Sequence, residues 1–240
     1  MSIRLLPKVL VDKIAAGEVI ERPGSVVKEL VENALDAGAS RVEVDLEDGG
    51  SKLIRVRDDG CGMSAEDLAL AFLSHATSKL QDEDDLFDVR TMGFRGEALS
   101  SIASVSQARI ASRPADAEAG HEIRAEGGEI GEVKPCASPP GTEIEVRNLF
   151  YNVPVRRKFL RTPATEMAHV TEAVTRLALA RPDAAFVLTH NSRRVFNLPP
   201  AEDRAGRLGE FFGREVAENV IPLRERFPEV EIEGYLLPPS

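Results

Sequence analysis

The chain has 240 residues, 42% of them hydrophobic and 29% charged, enough for one sizeable core or for one core and part of another. A formal net charge of -10 excludes a polyanion binder that works by bulk charge, so any nucleic-acid contact needs a local basic patch. Two cysteines without metal-ligand spacing (Cys61, Cys136) and four scattered histidines (His75, His121, His169, His190) argue against a disulfide framework and a zinc site, and for a reducing compartment.

Residues 1–22 form an apolar arm (Ile3, Leu5, Leu6, Val9, Leu10, Ile14, Val19, Ile20), part of it reading as a short helix from near Pro7. It is not a signal peptide, because Asp12 and Lys13 interrupt the apolar run. No segment approaches the roughly 20 apolar residues of a membrane span, and the expected setting is cytoplasmic. Pro23-Gly24 breaks the chain, and Ser25 is the expected N-cap of a helix that Gly38 closes. Val26, Val27, Leu30, Val31, Ala34 and Leu35 make its apolar stripe; Glu29, Glu32, Asn33 and Asp36 lie opposite.

Two alternating strands follow, Val42 to Leu46 and Ile54 to Asp58, joined by the hairpin connection Asp48-Gly49-Gly50-Ser51. Their period of two places Asp58 on the core-facing side, where a carboxylate needs a donor. Ser64 to Asp67 resembles a capping box opening a helix through Leu73. Residues 75–96 turn polar and acidic, a connection long enough to suggest a mobile or functional segment. A helix starts near Glu97. Candidate strands at 108–110, 121–123, 130–133 and 142–146 come next, then a long helix from Thr162-Pro163 to before Pro182. A hairpin over 186–196 reaches the boundary Pro199-Pro200, followed by a helix to Gly213 and strands at 220–223 and 230–237. The expected organisation is an arm (1–22), a main domain (23–200) and the truncated start of a second subdomain (203–240).

Glu29 and Asn33 stand four residues apart, about one helical turn, on one face. A base beside an oxygen ligand for a hard cation suits metal-assisted phosphate hydrolysis, although a solvated polar helix face would look the same. Asp58-Asp59-Gly60-Cys61-Gly62-Met63 ends a strand with a carboxylate able to accept from an exocyclic amine such as adenine's, with glycines where backbone approaches a flat ring. Gly60-x-Gly62-x-x-Ala65 also fits a dinucleotide fingerprint, but no apolar strand follows the helix, so a Rossmann unit is not expected. Gly93-Phe94-Arg95-Gly96 precedes a helix start and can turn N–H groups toward an anion. Thr77-Ser78-Lys79 offers hydroxyls and a cation, and Thr142 a hydroxyl beside Asp58. Arg156-Arg157-Lys158 with Arg161 is the best local basic patch, able to meet DNA phosphates or simply to pair with nearby acids.

Glu29–Gly38, Asp58–Gly62, Ala76-Thr77-Ser78-Lys79, Gly93–Leu99 and Gly141-Thr142, in this order, resemble the motifs of the GHKL ATPase superfamily. Three further signatures are similar to its mismatch-repair branch, the MutL family. They are Ile14-Ala15-Ala16-Gly17-Glu18-Val19-Ile20-Glu21-Arg22-Pro23, Gly93-Phe94-Arg95-Gly96-Glu97-Ala98-Leu99, and Asn148-Leu149-Phe150-Tyr151-Asn152-Val153-Pro154-Val155-Arg156-Arg157-Lys158-Phe159-Leu160.

The resemblance implies a GHKL (Bergerat-type) two-layer α/β sandwich, a mixed sheet with helices on one face, plus the start of a second α/β subdomain. It implies ATP and Mg²⁺ as cofactors, with Glu29 the general base and Asn33 the metal ligand. Asp58 would read adenine with Thr142 nearby. Gly60, Gly62 and Met63 would border the base, and Ala37 belongs to the same nucleotide-binding set. Thr77, Ser78, Lys79, Gly93, Phe94, Arg95 and Gly96 would close over the phosphates.

The implied function is an ATP-driven switch of DNA mismatch repair that couples lid closure and dimerisation to DNA and repair partners: a mismatch-recognition protein, and a nuclease or helicase. DNA would bind weakly here and mainly through parts that follow. The alternative is a nucleotide-gated scaffold with little turnover in this truncated form. Family members continue past Pro238-Pro239-Ser240 into the rest of the second subdomain, which supplies a lysine to the γ-phosphate, and into a C-terminal dimerisation domain that in many bacteria is an endonuclease.

Overall fold

The computed structural model of the chain describes residues 4, 16, 17, 19–79, 92, 93 and 96–237. The helix expected near Pro7 and the acidic stretch 80–91 lie outside the described residues.

Helix α1 (Pro23–Asp36) begins on proline, whose missing N–H and fixed φ suit a first turn. This corrects the expected cap: Arg22 holds the N-cap position without a side-chain bond, and Ser25 falls inside the first turn. Gly38 does close the helix. At φ +75° it donates its N–H to Leu35 O at 3.0 Å, while Ala39 N–H reaches Ala34 O at 3.1 Å, the Schellman pattern. The apolar stripe of α1 is buried as expected.

The main sheet contains β1 (Arg41–Glu47), β2 (Leu53–Asp58), β3 (Gln107–Arg113), β4 (Gly120–Glu126), β5 (Glu129–Ile130), β6 (Lys134–Cys136), β7 (Gly141–Arg147), β8 (Ala185–His190) and β9 (Arg193–Leu198). Its order is β5-β4-β3-β7-β2-β1-β8-β9, with β6 added to β4. The β1–β8 pair is parallel and the other pairings are antiparallel, so the sheet is mixed. The helices are α2 (Ala65–Leu70), α3 (Ala98–Ser104), α4 (Pro154–Phe159), α5 (Pro163–Ala180), α6 (Arg204–Phe212) and α7 (Arg214–Asn219). A separate ribbon pairs β10 (Ile221–Arg226) with β11 (Glu231–Leu236).

Period-two alternation decides which face each residue occupies. Val42, Val44, Ile54, Val56, Ile110, Ile123, Ile144 and Val146 are buried in one core with the apolar sides of α1, α3 and α5. The opposite face is a lattice of ion pairs. Arg57 bonds Glu143 at 2.5 Å, Arg109 bonds Glu122 at 2.8 Å and Glu143 at 3.0 Å, and Arg55 bonds Glu145 at 2.8 Å. Half-exposed pairs of this kind each contribute at most about 1 kcal/mol, but they neutralise the open face locally. Ala16 and Ile20, assigned to the N-terminal arm, are fully buried in this same core.

Four expectations change in detail. The capping box of Ser64 and Asp67 is present, but α2 stops at Leu70, and Leu73 is exposed. The strand expected over 130–133 is not formed: only Ile130 lies in the two-residue β5, residues 131–133 are irregular, and β6 begins after them at Lys134; β5 and β6 both pair with β4. The helix ending before Gly213 is followed at once by α7. The short helix α4 was not expected, since none of its residues is buried and it carries no apolar periodicity.

Candidate nucleotide site

Asp58 ends β2 directly opposite Thr142 of β7, both on the covered face. Its Oδ1 accepts from Gly60 N–H at 2.9 Å. Burial pushes the Asp58 carboxyl up to about 6; the N–H groups of Gly60 and Thr142 pull it back, and the neighbouring Asp59 charge adds to the rise. A half-buried carboxylate with so few donors is suited to accept one more from a ligand.

Asp59 points the other way and anchors the corner. It accepts from Ser40 N–H at 2.8 Å, Ser40 Oγ at 2.5 Å and Arg41 N–H at 2.8 Å. Partial burial opposes its ionisation, but these donors outweigh it and hold its carboxyl below the usual value. Cys61 N–H donates to Ala37 O at 3.0 Å, and a side chain at Gly60 would stand 2.9 Å from that same oxygen. The Asp58–Gly62 corner is therefore packed on the C-terminal end of α1. Gly62 is required for a different reason than a ring: a Cβ there would stand 2.4 Å from Arg113 O.

Four residues before Ala37, Asn33 Oδ1 accepts from Lys79 Nζ at 2.8 Å. The same ammonium bonds Asp36 Oδ2 at 2.5 Å, and Asp36 also accepts from the N–H groups of Met92 at 3.1 Å and Gly93 at 3.4 Å. Three segments far apart in sequence thus meet over one face of α1. His75 N–H donates to Gly96 O at 3.0 Å, which ties the Thr77–Lys79 turn to the second glycine of the 93–96 segment. Thr77 and Ser78 are exposed, and Thr77 Oγ1 accepts from Lys79 N–H at 3.1 Å. Phe94 and Arg95 lie outside the described residues.

Glu29 lies one further turn toward the N-terminus, about 6 Å along the axis from Asn33. Its side chain is 26% exposed, and Lys28 Nζ stands at 3.4 Å. Lys28 bonds Glu32 more closely, at 2.9 Å, so the two carboxylates share one ammonium. Asp36 was missed by sequence reasoning. Its signal was available, because it follows Asn33 by three residues on the same helix face. The basic patch is also altered: Arg156 is half-buried with its guanidinium against the backbone of Gly17, while Arg157, Lys158 and Arg161 are exposed.

Residues 21–129 match the family described as "Histidine kinase-, DNA gyrase B-, and HSP90-like ATPase". Over 240 residues, all of this chain and 38% of the relative, it is 52% identical to "DNA mismatch repair protein MutL" of Xanthomonas campestris pv. campestris (strain B100). The same identity holds over 238 residues, 99% of this chain, with MutL of Anaeromyxobacter dehalogenans (strain 2CP-C), of which 39% is covered. The Aquifex aeolicus MutL ATPase domain complexed with ADP superposes with a TM-score of 0.66 at 36% identity, covering 86% of this chain and 73% of that one. The chain belongs to the MutL family.

It spans about two fifths of the length of these MutL relatives. The mixed sheet with helices on one face is the sandwich expected of a MutL ATPase domain. A solved N-terminal domain of a DNA repair protein, 22% identical with a TM-score of 0.76 over 94% of this chain and 70% of that one, shares the fold. No helix among the described residues is long and apolar enough to cross a membrane.

Proposed function

We propose that this MutL chain binds ATP along α1 and hydrolyses it, as the switch of a mismatch-repair protein. One observation carries the reading: a cation-holding oxygen pair and an amine-seeking carboxylate lie along one helix. Asp58 and the Gly60 corner rest on the C-terminal end of α1, Asn33 and Asp36 hold a positive charge one turn back, and Glu29 lies beyond. Adenine would donate its amine to Asp58 near Thr142. The triphosphate would run past Asn33 toward Glu29, with Lys79 and the glycines at 93 and 96 beside it.

Asn33 would supply the protein oxygen to Mg²⁺. The fit is supported by the Lys79 ammonium, which already uses Asn33 Oδ1 and Asp36 Oδ2 as a cation seat. Among the described residues no group of three His, Cys, Asp or Glu side chains forms a cage. That suits a metal held mostly by phosphates and water with one or two protein oxygens. Mg²⁺ there would neutralise charge on the phosphate oxygens. Glu29, partly exposed and one turn beyond Asn33, would take a proton from an attacking water. Lys79 would yield this seat to the cation, and its ammonium would then be available to the phosphates. The reading includes a nucleotide-dependent closure of the 75–96 connection over the triphosphate.

In this reading the second subdomain starts at 203, and the arm, DNA and repair partners respond to the closed state through a nucleotide-dependent homodimer of the longer protein, in the cytoplasm. In the full-length protein, Glu29→Ala should keep nucleotide affinity within about threefold while turnover falls by at least 10²-fold, the scale of losing a general base. Calorimetry and a phosphate-release assay measure the two, and undiminished turnover removes Glu29 as the base.

A further inference from the structure

Ser112, near the end of β3, belongs to no motif, and it is 0% exposed. Its Oγ accepts from Met63 N–H at 2.8 Å, lies 3.0 Å from Gly141 O and 2.9 Å from Thr142 Oγ1. A hydroxyl has one proton and two lone pairs. All three neighbours are satisfied at once in only one arrangement: Ser112 donates to Gly141 O and accepts from both Met63 N–H and the Thr142 hydroxyl. Buried polar groups settle into such satisfied sets. Thr142 then has its proton committed to Ser112, and only lone pairs remain for whatever lies beside Asp58 across the strand pair.

We infer that Ser112 is a positioning residue for base selection, setting Thr142 as a hydrogen-bond acceptor and fixing the backbone of Met63 at the rim of the pocket. The inference rests on reading Asp58 as the adenine acceptor. Two acceptors side by side, a carboxylate and a hydroxyl with its proton turned away, favour a purine carrying a 6-amino donor. They disfavour one carrying a 6-oxo group, whose lone pairs face theirs. Without Ser112 the Thr142 hydroxyl rotates freely and can donate to a 6-oxo group, so discrimination falls even where the fold survives.

The test compares ADP and IDP, which differ at position 6 of the base, by calorimetry on the parent chain, Ser112→Ala, Ser112→Cys, Ser112→Thr and Asp58→Asn, with melting temperatures alongside. Ser112→Ala and Ser112→Cys should weaken ADP about tenfold, the scale of one lost buried hydrogen bond, while IDP changes little, so that the ADP/IDP ratio collapses. Ser112→Thr, which keeps the hydroxyl, should retain the ratio. A merely structural serine would lower melting temperature and both affinities together; a parent-like ratio in both Ser112→Ala and Ser112→Cys overturns the proposal. If instead the parent prefers neither nucleotide, or Asp58→Asn keeps the preference, the adenine reading of Asp58 fails and takes this inference with it.

Discussion

Asp58 carries its carboxyl into the covered face of the sheet, and burial raises its pKa to about 6 from an ordinary 3.8. A folded pKa above the unfolded one means that the folded state binds the proton more tightly. The chain therefore loses stability as pH rises from about 3.8 to about 6, and at neutral pH an ionised Asp58 is a net cost to folding. Asp58→Asn removes that charge while keeping an oxygen for Gly60 N–H. Its melting temperature at pH 8 should equal or exceed the parent's, whereas ADP affinity drops at least tenfold. Binding by the parent should also weaken as pH falls below about 6, where the carboxyl protonates, and the variant should lack that part of the pH dependence. Calorimetry across pH 5 to 8 on both chains checks this; parallel curves would show that Asp58 does not meet the base.

The turn into β7 works as an element rather than as single residues. Gly141 has φ +105°, and a Cβ there would stand 2.1 Å from the carbonyl oxygen of Asp58. Only glycine lets β7 run this close to the end of β2, which is what puts Thr142 opposite Asp58. Gly141→Ala should therefore cost about 2 kcal/mol or more, from a strained left-handed residue plus a backbone clash. Urea unfolding reads the loss, and ADP binding should fall with it because Asp58 and Thr142 are displaced together. A loss below about 0.5 kcal/mol, the range of an ordinary surface substitution, would mean that the turn relaxes and the register is set elsewhere.

At the scale of the molecule, a buried cation joins the backbone bond of Ala201 to Pro182 and the Phe211–Phe196 ring contact in holding the segment after Pro200 to the sandwich. Arg207 is 0% exposed; it donates to Pro182 O at 2.8 Å, Ala184 O at 2.6 Å and Glu210 at 2.6 Å, and its guanidinium lies 5.9 Å from the Phe186 ring centre. The β10–β11 ribbon beyond it is paired only within itself among the described strands and exposes Ile221, Phe227, Val230 and Ile232. Arg207→Ala leaves two carbonyls without this donor and an empty volume in the interior, a loss of about 3 kcal/mol or more. Hydrogen exchange should show α6 losing protection first while β1, β2 and β7 keep theirs. Uniform loss across the sheet would make Arg207 part of the main core instead of a local clamp.

Features that depend on neighbours along the chain are legible in the residues alone. Alternation fixed the faces of β1, β2 and β7, the stripe on α1 fixed its buried side, and Gly38 and Pro163 fixed helix ends, because each acts through local geometry. Motif order was enough to point to the family, and Glu29, Asn33 and Asp58 could be singled out from residue chemistry and spacing. The remaining features involve groups that folding brings together from distant positions. Asp36 and Lys79 are 43 residues apart, Ser112 and Thr142 are 30, and Arg156 meets Gly17 across most of a domain. No periodicity records such meetings, since a hydrogen bond across a sheet or a turn depends on where strands pair, and pairing order here (β7 between β3 and β2) follows from how the whole sheet buries its apolar face.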